Sequence, residues 1–123
     1  MNTETLLDYI YERQLIKFPD QTREQTERKL RAEILELQEA RRNHYYGGSR
    51  EAVMYEKADV IIMANRLWRD FNDEMAWMIL DSMYDYETAK FVEAKWKIVE
   101  SRCYVKDKDG TYQHKELNYG KSK

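Results

Sequence analysis

Apolar residues recur along most of this chain at helical rather than alternating spacing. Leu6, Leu7, Ile10, Leu15 and Ile16 predict a first amphipathic helix over residues 3–16. Pro19-Asp20 ends it, because the residue before a proline is biased away from the α region. Thr22-x-x-Gln25 resembles a capping box and predicts a second helix over about 23–45. Gly47-Gly48 supplies a reversal, after which Ser49 suits the N-cap of a third helix to about residue 69. Asn72-Asp73 breaks that helix. The pattern resumes at Glu74 and runs to Arg102 through Met75, Ile79, Met83, Phe91, Trp96 and Val99, with room for a bend. From Lys106 the run Lys-Asp-Lys-Asp-Gly-Thr-Tyr carries an Asp-Gly turn signal and predicts a small hairpin or ordered tail. Residues Gly120 to Lys123 are expected to fray. The expectation is an all-α bundle of four to five helices over 1–105, with a C-terminal tail over 106–123.

Composition narrows this picture. The 123 residues suit one domain, and one proline with four glycines favours long helices. The surface must be highly charged, yet 21 basic against 23 acidic side chains leave only −2 and no general pull toward nucleic acid or membrane. Arg41-Arg42 and Lys106-Lys108 are too thin a basic footprint to change that. No apolar run approaches the roughly 20 residues of a membrane span, and no signal-peptide core follows Met1. The single Cys103 excludes an internal disulfide, fits a cytoplasmic setting and is expected to be buried.

The informative charges are two acidic pairs, Glu33-x-x-Glu36 and Glu56-x-x-Asp59, one on each side of the Gly-Gly reversal. A spacing of three residues puts both members of a pair on one helix face, and the reversal lets the two faces meet. Most helix carboxylates are simply solvated, so their angular position decides. With Glu33 as zero, Leu37 falls at about 40°, Leu30 at about 60°, Ala40 at about 340° and Glu36 at about 300°. Glu33 thus borders the apolar stripe and Glu36 flanks it, whereas Glu39, at about 240°, points to solvent. The third helix is apolar nearly all round, from Val53, Met54, Val60 and Ile61 to Ala64, Leu67 and Trp68, and a helix of that kind is buried. Glu56 and Asp59 on it need partners: Lys57 or Arg66 in a structural ion pair, or a shared metal. Four converging carboxylates favour the metal, and an all-oxygen set favours Mg²⁺ with Mn²⁺ as substitute. A carboxylate-bridged di-iron bundle needs Glu-x-x-His, but Arg41 and Thr111 precede His44 and His114 by three.

At these residues the sequence resembles the all-α nucleotide pyrophosphohydrolases, the group that includes MazG proteins and dimeric dUTPases. Their pattern is E-x-x-E, a variable gap, then E-x-x-D. Glu33, Glu36, Glu56 and Asp59 match it, and Leu37 to Tyr55 is a gap of 55 − 36 = 19 residues. The wording RAEILELQEA and YEKADVIIMANRL looks most like small single-domain MazG-like members. The likeness spans about residues 22–70, and helix order extends it to about 102. It implies hydrolysis of a nucleoside triphosphate between the α and β phosphates, giving a monophosphate and pyrophosphate. In that family the four acids hold Mg²⁺ ions that bind the phosphates, and a carboxylate activates the attacking water.

Cations should complete such a site. Arg66, seven residues past Asp59 on nearly the same face, is one candidate, and Lys90, Lys95 and Arg102 on the last helix are others, although the family's basic pattern is not cleanly matched there. Trp68, Trp96 or Tyr45 are candidates to stack a base, although aromatics at helical spacing are usually core. His44-Tyr45-Tyr46 could line a pocket mouth, and Asp109 to His114 could fold over the site as a lid. So small a helical core, and the habits of the family, imply a homodimer or homotetramer. The alternative from another class is a non-catalytic helical interaction or regulatory protein that keeps the fold without the chemistry.

Overall fold

The structure is a computed structural model and describes residues 2–114. It is an all-α bundle of five helices closed at its C-terminal end by a two-stranded hairpin. The helices are α1 (Thr3–Lys17), α2 (Arg23–Tyr45), α3 (Arg50–Phe71), α4 (Glu74–Met83) and α5 (Tyr86–Ser101), followed by β1 (Tyr104–Lys106) and β2 (Tyr112–His114). The expectation for Gly120 to Lys123 lies outside the described residues.

Each helix starts where a short polar side chain can satisfy an otherwise unpaired backbone N–H. The Thr22 hydroxyl accepts from Gln25 N at 3.1 Å, and Gln25 Oε1 accepts from Thr22 N at 3.0 Å, completing a capping box. Ser49 Oγ accepts from Ala52 N at 3.2 Å, and Asp73 Oδ1 from Ala76 N at 2.9 Å. Between α2 and α3, Gly47 takes φ 99°, and a Cβ at Gly48 would meet the Asn43 carbonyl oxygen at 2.7 Å. The sharp reversal therefore needs both glycines.

α3 is the central element and packs against α1, α2, α4 and α5. Ala58, Ile61, Ala64 and Asn65 on it are fully buried, and Ile10 of α1 and Val92 of α5 meet it in the same core. The helix apolar all round is thus the one surrounded on all sides.

Four sequence expectations need correction. The segment 74–102 is two helices, not one bent helix. Tyr84 leaves the helical region, and Asp85 starts α5 with a capping box closed by Thr88. In α1 the buried face is Leu6, Leu7, Ile10 and Gln14, while Leu15 and Ile16 are exposed. Gln14 lies four residues after Ile10, on the same stripe, and outranks its apolar neighbours by position alone. The hairpin begins at Tyr104, so a boundary at 105/106 cuts β1. Tyr104 pairs with His114, and Asp107 closes the turn by accepting from the Asp109 and Thr111 amides. Cys103, between α5 and β1, is exposed. Among the described residues no helix is long and apolar enough to cross a membrane.

Candidate metal and phosphate site

The antiparallel pair α2 and α3 brings the two acidic pairs to one cavity of about 360 Å³, within the range of small-molecule sites. Glu33 and Glu36 reach it from α2, and Glu56 and Asp59 from α3. One oxygen each of Glu33, Glu56 and Asp59 lies within 4.8 Å of the others. Glu36 lines the same cavity from an exposed position and stands outside that closest trio. α5 forms the facing wall with Lys95, Val99 and Arg102, and the hairpin covers it with Tyr104, Tyr112, Gln113 and His114.

The electrostatics are those of a crowd of like charges. Burial, followed by the charges of Asp59, Glu36 and Glu56, pushes the Glu33 carboxyl up to about 8. Burial raises Asp59 to about 6, against the pull of Lys95, whose Nζ lies 3.3 Å from Asp59 Oδ2. Glu56 is raised as well, by burial and by Glu36, and its Oε2 is buried with no hydrogen-bond partner among the described residues. A buried carboxylate oxygen without a donor is costly unless something positive reaches it.

These residues fit a hard divalent cation. All donors are carboxylate oxygens. Bonds of about 2.1 Å put oxygens on opposite sides of Mg²⁺ about 4.2 Å apart, so a trio spread over at most 4.8 Å closes on the ion by small side-chain adjustments. The unpartnered Glu56 oxygen is what such an ion would satisfy.

The cations divide. Lys95 and Arg102 line the cavity as expected. Arg66 does not, and its role is corrected: it is 2% exposed, its Nε donates to Asp70, and its Nη1 and Nη2 donate to the carbonyls of Gln14 and Phe18 at 3.3 and 3.1 Å. The seven-residue offset from Asp59 does keep it near one face, but the helix there has passed beyond the cavity and lies against α1. Lys90 likewise lies outside the cavity lining, exposed over the Tyr86 ring at 4.9 Å. Lys57 acts on Asp85 and not on the acidic pairs. Of the aromatics, Trp96 is buried in the core, Trp68 packs edge-on to Trp77, and Tyr45 and Tyr46 are exposed at the α2–α3 tip with His44.

Sequence reasoning missed Lys29, Phe18, Gln21 and Tyr104 as cavity residues. Lys29 carried a signal, since it precedes Glu33 by four residues and so shares its helix face. The others carried none, because they come from a loop and a hairpin placed by tertiary packing. Tyr112, Gln113 and His114 do lie in the segment expected to cover the site. Comparisons of the chain with protein-family models, with curated proteins and with solved structures give no match.

Proposed function

We propose that this protein is a Mg²⁺-dependent nucleoside triphosphate pyrophosphohydrolase of the all-α, MazG-like kind, cleaving between the α and β phosphates. The observation that carries the reading is the pairing of two acidic motifs across α2 and α3 in a cavity whose other wall is cationic. Glu33, Glu36, Glu56 and Asp59 would hold the metal. The ion would neutralise phosphate charge and make water nucleophilic near neutral pH. The chain's own residues do the rest. Lys29, Lys95 and Arg102 face the same space and supply positive charge for phosphate oxygens. The hairpin, with Tyr104 and Tyr112 on its inner side, shields that space from bulk water, which strengthens every charge interaction inside. Water ends as the new oxygen on one phosphorus, and the departing pyrophosphate or monophosphate carries away the bridging oxygen.

The test is pyrophosphate release from a panel of nucleoside triphosphates with Mg²⁺, comparing the native chain with Glu36→Gln and Asp59→Asn. Activity should fall on the order of a hundredfold or more in both variants, with unchanged circular dichroism. Silence of the native chain across the panel with Mg²⁺ and with Mn²⁺ would overturn the reading and favour the non-catalytic interaction protein. Self-association into a homodimer or homotetramer belongs to the same proposal. Met75, Trp77 and Met78 are exposed at 66%, 45% and 60% on α4, a surface suited to a second copy. Light scattering that returned a stable 15.0 kDa monomer would refute it.

A further inference from the structure

One wall of the cavity is ordered along α2. Thr22, the N-cap beside Gln21, is followed by Lys29, Glu33 and Glu36, and a rise of 1.5 Å per residue puts Thr22 roughly 16 Å from Glu33 along the axis. The acids occupy one end, Lys29 stands next to them, and the far end is lined by Phe18, Gln21 and Tyr112. That end is apolar and amide in character, and it is rigid. Tyr112 OH donates to the Pro19 carbonyl at 2.9 Å, and its ring meets Phe18 edge-on with centroids 5.1 Å apart.

Gln21 is 9% exposed, and its amide is held in one orientation. The Thr26 hydroxyl directs its single proton to the Thr22 carbonyl at 2.9 Å. Its oxygen is then left to accept, and it does so from Gln21 Nε2 at 2.8 Å. The amide nitrogen is therefore turned onto Thr26, and Gln21 Oε1 accepts no hydrogen bond among the described residues. A fixed acceptor at the wall of a cavity that aromatic residues also line suits a planar heterocycle that presents an N–H.

We infer that the end of the cavity formed by Phe18, Gln21 and Tyr112 is a nucleobase subsite, in which Gln21 Oε1 accepts an N–H from the base edge and the two aromatic residues supply apolar surface to the ring. The inference rests on the triphosphate reading above and adds which part of the nucleotide each end takes. Thr26 is then a positioning residue, acting through Gln21. A site built to accept an N–H rejects a ligand that lacks it, because the acceptor is left unpaired.

The experiment pairs each natural triphosphate with an analogue lacking the base donor, in both sugar series: ATP with purine riboside triphosphate, CTP with 2-pyrimidinone riboside triphosphate, UTP with N3-methyluridine triphosphate, GTP with 1-methylinosine triphosphate. Both kcat/KM and Kd are measured. The native chain should prefer the donor-bearing member of its substrate pair by tenfold or more. Gln21→Met should reduce that preference below threefold, with the stabilisation of the protein by Mg²⁺ alone unchanged. Thr26→Val, which removes the partner that orients the Gln21 amide, should relax the preference partway. Hydrolysis with an unaltered preference in Gln21→Met overturns the base subsite and leaves the hydrolase reading standing. A native chain that neither binds nor hydrolyses any triphosphate overturns both. If Gln21→Met fails to fold, an unaltered preference in Thr26→Val overturns the inference by itself.

Discussion

Two stretches of α3, separated by nearly two turns, bury polar groups in opposite ways. Toward its C-terminal half, Asn65 and Arg66 are almost wholly enclosed, and their polar atoms are matched. Asn65 Nδ2 donates to the Leu7 carbonyl at 3.1 Å, its Oδ1 accepts from Arg69 Nε at 2.8 Å, and Arg66 grips Asp70 together with two carbonyls at the end of α1. Tyr11 OH adds a bond of 2.6 Å to the same Asp70. Nearer its N-terminus, Glu56 and Asp59 share one lysine and face two more glutamates across the cavity. The first set holds the fold together; the second set opposes it. A helix that completes its hydrogen bonds at one end and leaves carboxylates crowded at the other is using the second set for something other than stability.

Removing Arg66 should break the matched set with the largest effect. Arg66→Leu takes one donor from Asp70, which keeps the Tyr11 hydroxyl, and one from each of the Gln14 and Phe18 carbonyls, and should cost about 3 kcal/mol in urea unfolding. The α1–α2 loop that carries Phe18 to the cavity should loosen with it.

The opposite set should respond with the opposite sign. Glu33 has its carboxyl raised from 4.5 to about 8, so its protonated form is favoured in the folded chain. The stability it contributes is present in full below about pH 4.5 and is lost as pH rises through about 8. Asp59, raised to about 6, adds to the loss over the lower part of that window. Thermal melts of the metal-free protein should therefore drop by several degrees between pH 5 and pH 8. Glu33→Gln should flatten that drop and melt higher than the native chain at pH 8. Mg²⁺ should raise the melting temperature of the native chain more at pH 8 than at pH 5, and Glu33→Gln should lose most of that gain. A flat native profile would mean that the carboxylates are not in conflict.

A smaller effect sharpens the comparison by showing what an ordinary matched polar group contributes. Asp73 caps α4 through Ala76 N, and that bond, with the guanidinium of Arg23 at 2.7 Å, holds its carboxyl below the usual range. Asp73→Ala should cost about 1 kcal/mol. Smallest of all, the exposed Arg13–Glu100 pair at 2.8 Å should show no measurable coupling in a double-mutant cycle at physiological salt.

What could be read in the chain before its structure follows the range of the forces involved. The bounds of α2 were legible because Thr22, Gln25 and the two glycines act within a few residues of themselves. The break before α5 was not, because Asp85-x-x-Thr88 lacks the Glu or Gln that usually marks a capping box and no glycine or proline interrupts the pattern. The four acids were legible because helix geometry turns a spacing of three into a shared face. Lys95 was named for its charge and its helix, but its pairing with Asp59 depends on α5 packing beside α3. Arg66 was misplaced because periodicity gives a direction around a helix and not a height along it. The aromatic end of the cavity was illegible for a related reason: Phe18, Tyr104 and Tyr112 meet only because the hairpin folds back across about 90 residues of chain.

That hairpin is fastened in an uneven way. Gln25 and Lys29 hold it through the backbone carbonyls of Asp109 and Tyr112, at 3.1 and 3.2 Å. A carbonyl is the same whatever side chain it carries. Gln113, exposed at the cavity's edge, makes its side-chain bond within the hairpin itself, to Asp107 at 3.1 Å, so a change there leaves the two fastenings to α2 in place. Glu56 and Asp59 sit on the helix that the whole core is packed around, Glu33 and Glu36 on the helix packed against it, and these positions have no such freedom. The molecule thus separates acids fixed by the core from a rim that tolerates change, so substitutions along the hairpin should alter the shape of the cavity while leaving the acid cluster in place.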